Sequence, residues 1–466
     1  LALLVKVNIC SLLGFLLELF QMNSYPKIIV SPPGPKAREL VVRDERFVSP
    51  SYTRYYPLVV ESATDCVVKD VDGNEYIDLN SGIACMNVGN THPRVVEAIK
   101  GQCDRFLHYS NTDFYYKEVI TLAEKLAGIV PGEFEKKTYF GNSGTEAVEA
   151  AIKLARWHTR KPQFIGFIDA FHGRTMGSLA FTASKPAQRR HFSPFMPGVA
   201  HVPYPNCYRC PFKLEKPECN YWCADFIDEQ VLQKYMPAED VAAILFEPIQ
   251  GEGGYIVPPP EFFQKLKKIA DKYDLLLIDD EVQSGIGRTG KWFAIEHWGV
   301  EPDIVCSSKA LASGLPIGAT IANAKIMDWT SGSHASTFGG NPLSCAAANA
   351  VLDIIKEQQL LDNANKQGTF AMKRLNEFKE TNSIVGDVRG KGLMIGVELV
   401  EDKETKKPSH QKAVEVMLRS WKRGVAVVTC GVSTLRIVPP LTIQTDMLGA
   451  ALDIVEDTIN EVAKQK

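Results

Sequence analysis

Four short stretches of this chain carry side chains suited to one another: Gly141-Asn142-Ser143-Gly144-Thr145-Glu146-Ala147, Phe171-His172-Gly173-Arg174-Thr175, Asp280-Glu281-Val282-Gln283 and Ser308-Lys309-Ala310. The first places a glycine and two hydroxyls where a strand turns into a helix, so backbone N–H groups and the helix dipole would converge on a dianion such as a phosphate. The second offers an aromatic face. The third supplies a carboxylate at the end of the apolar run Leu275–Ile278, where a parallel sheet opens its ligand crevice. The fourth is a primary amine in charge-poor surroundings, where burial and a cationic neighbour would make it nucleophilic. Alone, each has an ordinary reading: a helix start, a core phenylalanine at a strand end, a surface lysine. Together and in this order they are the parts needed to hold a flat, phosphorylated, cationic ring and to attack it with an amine.

The order and the flanking residues resemble the class III (ω-) aminotransferases of pyridoxal 5'-phosphate (PLP) fold type I, from about Tyr55 to the C-terminal region. The resemblance implies an α/β fold: a large domain with a mostly parallel sheet, and a smaller α+β domain built from the N- and C-terminal segments. It implies that Ser143, Gly144 and Thr145 hold the cofactor phosphate, that Phe171 stacks on the ring, and that His172 and Glu247 also border the cofactor. Asp280 would keep the ring nitrogen protonated, with Asp279 the competing candidate, and Gln283 would reach the ring's 3'-oxygen. Lys309 would bond the cofactor and carry the substrate proton. Thr337, in Ser336-Thr337-Phe338-Gly339-Gly340-Asn341-Pro342, resembles the threonine that reaches the partner subunit's phosphate, which implies an obligate homodimer with shared active sites, possibly within a higher oligomer.

For substrates, Arg174 and Arg436 match the family's two carboxylate-binding arginines, a residue type that meets a carboxylate with two parallel hydrogen bonds. Glu252, in Gly251-Glu252-Gly253, matches the glutamate that masks the second arginine for one substrate and releases it for the other. Structural salt bridges are the plainer alternative for all three. The natural acceptor is then 2-oxoglutarate. Tyr55, Thr112 and Asp113 resemble residues at the substrate entrance, and Asp113 could attract a second ammonium group. The expectation is therefore an ornithine-type donor, with 4-aminobutyrate a close competitor; for Asp113 a solvated loop aspartate is an equal reading. The alternative activity is amino-acid racemisation, for which the family's racemases resemble Gly-Asp-Gly where this chain has Gly251-Glu252-Gly253. A regulator without enzyme activity is disfavoured by the intact Lys309 and Asp280.

The elements that must position these residues read as a βα alternation. Strands are expected at 137–140, 164–168, 242–246, 275–278 and 304–306, with helices over 146–160 and 261–273. Asp72-Gly73-Asn74 between two short apolar runs reads as a strand–turn–strand. Residues 22–53 read as an extended arm, and 22–80 as that arm plus part of the small domain. The large domain spans 81–342 with a cysteine-rich insertion at 203–224, and the C-terminal small domain spans 343–466, with helices over 343–358 and 368–381 and strands at 392–400 and 436–438.

Residues 1–21 begin without Met and read as an upstream extension, with Met22 the expected natural start. The uncharged run 7–17 falls short of a bilayer span of ~20 residues. With 52 basic and 55 acidic residues and no long basic run, nothing calls for nucleic acid or a membrane, and a cytoplasmic protein is expected. Cys207, Cys210, Cys219 and Cys223 could be reduced thiols, two disulfides or a tetrahedral zinc site.

Overall fold

The structure, a computed structural model, describes residues 25–465, so the expectations for residues 1–21 and Met22 lie outside the described residues. Its centre is a seven-stranded sheet whose spatial order is Lys136–Gly141, Gly318–Asn323, Ile304–Ser307, Leu276–Asp280, Val241–Phe246, Gln163–Phe167 and Val199–Val202. Gly318–Asn323 runs antiparallel to both its neighbours; the strands from Ile304–Ser307 to Val199–Val202 pair in parallel. Val241–Phe246 and Ile304–Ser307 are buried at every residue, which is why they read as unbroken apolar runs and not as alternations.

One cover comes from the helix Gly144–Thr159, which buries Ala147, Val148, Ala151, Leu154 and Ala155 against the sheet. Other helices complete the burial, among them Phe262–Tyr273 and Pro342–Glu357. Strand register matters most for function. Gly141 lies opposite Gly318, Ser307 opposite Ala319, Asp279 opposite Phe246 and Asp280 opposite Cys306. The C-terminal ends of four strands therefore meet at one edge of the sheet, the edge where α/β proteins bind ligands.

Two smaller sheets complete the chain. Val60–Thr64, Val67–Asp70 and Glu75–Asp78 form an antiparallel set, as the Asp72-Gly73-Asn74 turn predicts, and Val425–Ala426 adds to it in parallel. Val385–Lys391, Met394–Asp402, Thr434–Ile437 and Val428–Cys430 form the other. N- and C-terminal segments are thus hydrogen-bonded to each other. Among the described residues no helix is long and apolar enough to cross a membrane.

The structure corrects the expected extended arm. Pro35–Phe47 is a helix with Pro35 in its first turn. Its cap comes from afar: the two carboxylate oxygens of Asp72 accept the N–H groups of Lys36 and Ala37 at 3.0 and 2.9 Å. A first turn needs such acceptors, and here they lie 35 residues along the chain. The second C-terminal helix also starts earlier than expected, at Leu360.

Candidate active site

The sheet edge opens into a cavity of about 290 Å³. Strand Lys136–Gly141 delivers Ser143, whose extended backbone caps the following helix while its hydroxyl accepts the Glu146 N–H at 3.3 Å. Gly144 and Thr145, the first residues of that helix, line the cavity. A side chain at Gly144 is excluded, since its Cβ would lie 2.7 Å from Val282 Cγ1. Thr145 Oγ1 lies 2.7 Å from Thr175 Oγ1 and 2.6 Å from Ser178 Oγ, so three hydroxyls cluster beside the helix start. Gly173 makes this possible: its φ is +140°, and a Cβ there would collide with Thr145 Oγ1.

Phe171 follows the strand Gln163–Phe167, and its backbone N–H donates to Glu247 Oε1 at 2.9 Å. The other Glu247 oxygen accepts the Gly251 N–H at 2.8 Å. Glu247 borders the cavity, but both carboxylate oxygens are committed to backbone, so it fixes the Phe171 loop to the Gly251 turn. Burial pushes its carboxyl up to about 7. Arg174 is exposed, with its guanidinium 5.6 Å from the Phe171 ring centre.

Asp280 closes the strand Leu276–Asp280. One oxygen lies 2.7 Å from His172 Nδ1 and the other accepts the Val282 N–H at 3.0 Å. An ionised carboxylate can only accept, which puts the shared proton on Nδ1. Asp279 points elsewhere: it is fully buried, both its oxygens lack partners, and burial raises its carboxyl well above the usual range. Asp280 is the one of the two that lines the cavity. Gln283 Oε1 and His172 Nε2 are buried polar atoms without a partner among the described residues. Lys309 follows strand Ile304–Ser307 with φ at +28°, a costly conformation for a residue with a side chain and one that clusters at functional sites. Its amine forms no ion pair among the described residues.

Arg436 is almost fully buried and donates from Nη2 to Glu252 Oε2 at 2.8 Å and to the Thr429 carbonyl at 2.9 Å. The Tyr55 hydroxyl donates to the same carbonyl at 3.4 Å, which brings Tyr55, Arg436 and Glu252 together. A fourth member went unread in the sequence: Lys185 Nζ lies 2.6 Å from Glu252 Oε1. Burial opposes ionisation of Glu252, but Arg436 and then Lys185 hold it below the usual carboxylate range. Nothing local marks Lys185, which stands 67 residues from its partner.

Seven expected residues are not among those that line the cavity: Ser143, Tyr55, Glu252 and Arg436, described above, and Thr112, Asp113 and Thr337. Thr112 and Asp113 sit on an exposed loop; Thr112 Oγ1 donates to the Ser336 carbonyl at 3.1 Å, and Asp113 accepts the Ser110 hydroxyl at 2.6 Å. Thr337 is exposed beside Phe338, which is 59% exposed. The four clustered cysteines are free thiols lining a separate cavity of about 360 Å³. Among the described residues no three His, Cys, Asp or Glu side chains stand in a metal-holding arrangement. Burial, then the neighbouring Cys207, Cys219 and Cys210, push the Cys223 thiol up to about 12.

The family model described as Aminotransferase class-III matches residues 48–459. The chain belongs to the class-III aminotransferase family. Among curated relatives, it is 41% identical to the alanine/serine racemase of Pyrococcus horikoshii, covering 97% of this chain and 96% of that protein. It is 38% identical to a 4-aminobutyrate aminotransferase of Mycobacterium leprae, covering 93% and 98%. Among solved structures, an aminotransferase of Bacillus anthracis matches with a TM-score of 0.85 at 31% identity, covering 91% and 99%. The fold is PLP fold type I and the cofactor is PLP. The lining suits that cofactor: it brings together the helix start at Gly144 and Thr145, the Asp280 carboxylate, Gln283 with its buried, unpartnered oxygen, and Lys309.

Proposed function

We propose that this class-III protein is an aminotransferase that moves the terminal amino group of an ω-amino donor, 4-aminobutyrate or L-ornithine, to 2-oxoglutarate. The reading rests on one observation, the pairing of Glu252 with Arg436 at 2.8 Å. An enzyme that alternates between a donor with a single carboxylate and a dicarboxylate acceptor needs an arginine covered in one half-reaction and free in the other. Bound PLP supplies an electron sink for the carbon–hydrogen bond that breaks. The chain supplies the rest. Asp280, oriented by His172, would favour a positive charge at the ring nitrogen, and Lys309 would take the proton from the substrate carbon and deliver it to the cofactor carbon C4' across the nitrogen. Ser143, Gly144 and Thr145 hold the phosphate, Phe171 limits the tilt of the ring, and Gln283 meets its 3'-oxygen.

Arg174 and Arg436 hold the two carboxylates of the acceptor. We read Thr337 and the Thr112–Asp113 loop as parts of a homodimer interface, because they touch through Ser336 and lie exposed in the single chain.

Racemisation is the second reading, favoured by the 41% identity to the Pyrococcus racemase. It requires a proton carrier facing Lys309 across the substrate. Glu252 is poorly suited to carry that proton, because it is held between two cations with its carboxyl below the usual range and keeps no proton to give near neutral pH. The test is to supply 4-aminobutyrate with 2-oxoglutarate and measure glutamate. Arg436→Met is expected to lower kcat/KM for 2-oxoglutarate by about 100-fold, the loss of one charge-assisted pair of bonds. Absence of glutamate alongside appearance of a D-amino acid from its L-form would replace this reading with the racemase.

A further inference from the structure

Lys185 has no place in the reaction as described, yet it makes one of the closest ion pairs at the site. The set is asymmetric. Arg436 has 3% of its side chain exposed, Glu252 17% and Lys185 35%, so the carboxylate sits between a buried cation and a half-exposed one. Arg436 is fixed from behind by two hydrogen bonds, Nε and Nη2, to the Thr429 carbonyl at 3.1 and 2.9 Å. Glu252 is fixed by its backbone, whose carbonyl accepts the Gly431 N–H at 2.8 Å. The elements that can exchange are therefore the two ion pairs, not the groups' positions in the fold. For Arg436 to receive a substrate carboxylate, Glu252 Oε2 must give up its bond. A largely buried carboxylate that leaves its one cation is stranded, and that cost would oppose substrate binding. Here it is not its one cation. The Lys185 ammonium carries three donors on a four-carbon stem and already holds Oε1.

We propose that Lys185 is a positioning residue that takes over Glu252 when Arg436 turns to a substrate carboxylate, and so sets the affinity of the site for dicarboxylates. The inference rests on the proposed function in taking Arg436 as a carboxylate-binding residue. Lys185, Glu252 and Arg436 together carry one net positive charge, which an incoming carboxylate neutralises without expelling any member. Removal of Lys185 leaves Glu252 and Arg436 as a neutral, closed pair. The same removal in a chain whose residue 252 is already neutral changes little, because Lys185 acts through Glu252 and not on the ligand.

The experiment is a double-mutant cycle read by binding. Isothermal titration of the PLP-loaded enzyme with glutarate, a dicarboxylate without a reacting group, gives Kd for wild type, Lys185→Met, Lys185→Arg, Glu252→Gln and the Lys185→Met/Glu252→Gln pair. Lys185→Met is expected to weaken glutarate roughly tenfold, the scale of one partly buried charge pair. Lys185→Arg, which keeps the charge, stays within about twofold of wild type. In the Glu252→Gln background Lys185→Met changes Kd by less than about twofold. Equal weakening in both backgrounds means that Lys185 meets the ligand directly and overturns the proposal. No weakening in either, or no glutarate binding by the wild type, overturns it as well. A chain that shows the expected coupling but transfers no amino group to 2-oxoglutarate would sink the aminotransferase reading and leave this one standing.

Discussion

Gly144→Ala tests the phosphate cradle with a single methyl group. In the native chain the added Cβ would stand 2.7 Å from Val282 Cγ1 and 3.1 Å from Cγ2. Neither neighbour can retreat freely. Gly144 opens the helix Gly144–Thr159, and Val282 lies between Asp280 and Gln283 on the cavity wall. Relief of the overlap must therefore move the helix start, the Asp280–Gln283 segment, or both. Overpacking of this kind costs about 1–3 kcal/mol. Cofactor affinity should fall, because the displaced helix start and the Asp280–Gln283 segment line the site, and the apo fold, which carries the same overlap, should lose about 1–3 kcal/mol of stability. Equilibrium titration of the apoenzyme with PLP gives the first quantity and thermal unfolding of the apoenzyme the second. Val282→Ala removes both offending methyl groups, so the double variant should recover affinity to within a few-fold of Val282→Ala alone. Unchanged PLP affinity in Gly144→Ala, or no recovery in the double variant, would refute the steric argument.

Asp280→Asn keeps the shape but not the charge beside the ring; kcat/KM for the amino donor should fall about 10²–10³-fold, with near-normal thermal stability, in a steady-state assay. Arg288→Met should destabilise the chain by about 3–5 kcal/mol in urea, because this fully buried guanidinium donates to the carbonyls of Leu393 and Pro439 and to Asn87 Oδ1, which lose that donor, and to the Ser81 hydroxyl, which keeps its bond to the Val438 carbonyl. Glu247 gives a pH prediction. Its folded carboxyl, near 7 against an ordinary 4.5, binds its proton more tightly than the unfolded chain does, so its stabilising contribution is full below pH 4.5 and falls until about pH 7. The gap is worth about 3 kcal/mol. His297, lowered to about 4 chiefly by burial, acts with the opposite sign over much of the same range. The measurement is therefore the stability difference between wild-type and Glu247→Gln apoenzyme at pH 4.5 and 7.5, which should shift by that amount against the wild type. A constant difference would contradict it.

What could be read in the sequence was what is local. The phosphate turn, the carboxylate at the end of Leu276–Asp280 and the lysine after Ile304–Ser307 each follow directly from an apolar strand, so strand and motif announced each other. What was lost depends on distant partners. The helix Pro35–Phe47 is charged, follows a proline-rich stretch and takes its cap from Asp72. Gly318–Asn323 is small-residue sequence whose strand is set by antiparallel pairing with a strand on each side, Lys136–Gly141 and Ile304–Ser307. Lys185 looks like any surface lysine before a proline until Glu252 is brought to it. Glu247 was placed at the cofactor by its motif, but its two backbone hydrogen bonds, which reveal what its carboxylate does, exist only in the folded chain.

The central claim is amino transfer, and the most direct measurement is a single half-reaction. The PLP-loaded enzyme is mixed with 4-aminobutyrate, and separately with L-ornithine, with no keto acid present, while the absorbance of the lysine-bound cofactor is followed. This absorbance is expected to be lost as that of pyridoxamine phosphate grows, and 2-oxoglutarate should then restore it with formation of glutamate. An unchanged spectrum with both donors, together with D-alanine or D-serine accumulating from the L-forms, would contradict amino transfer.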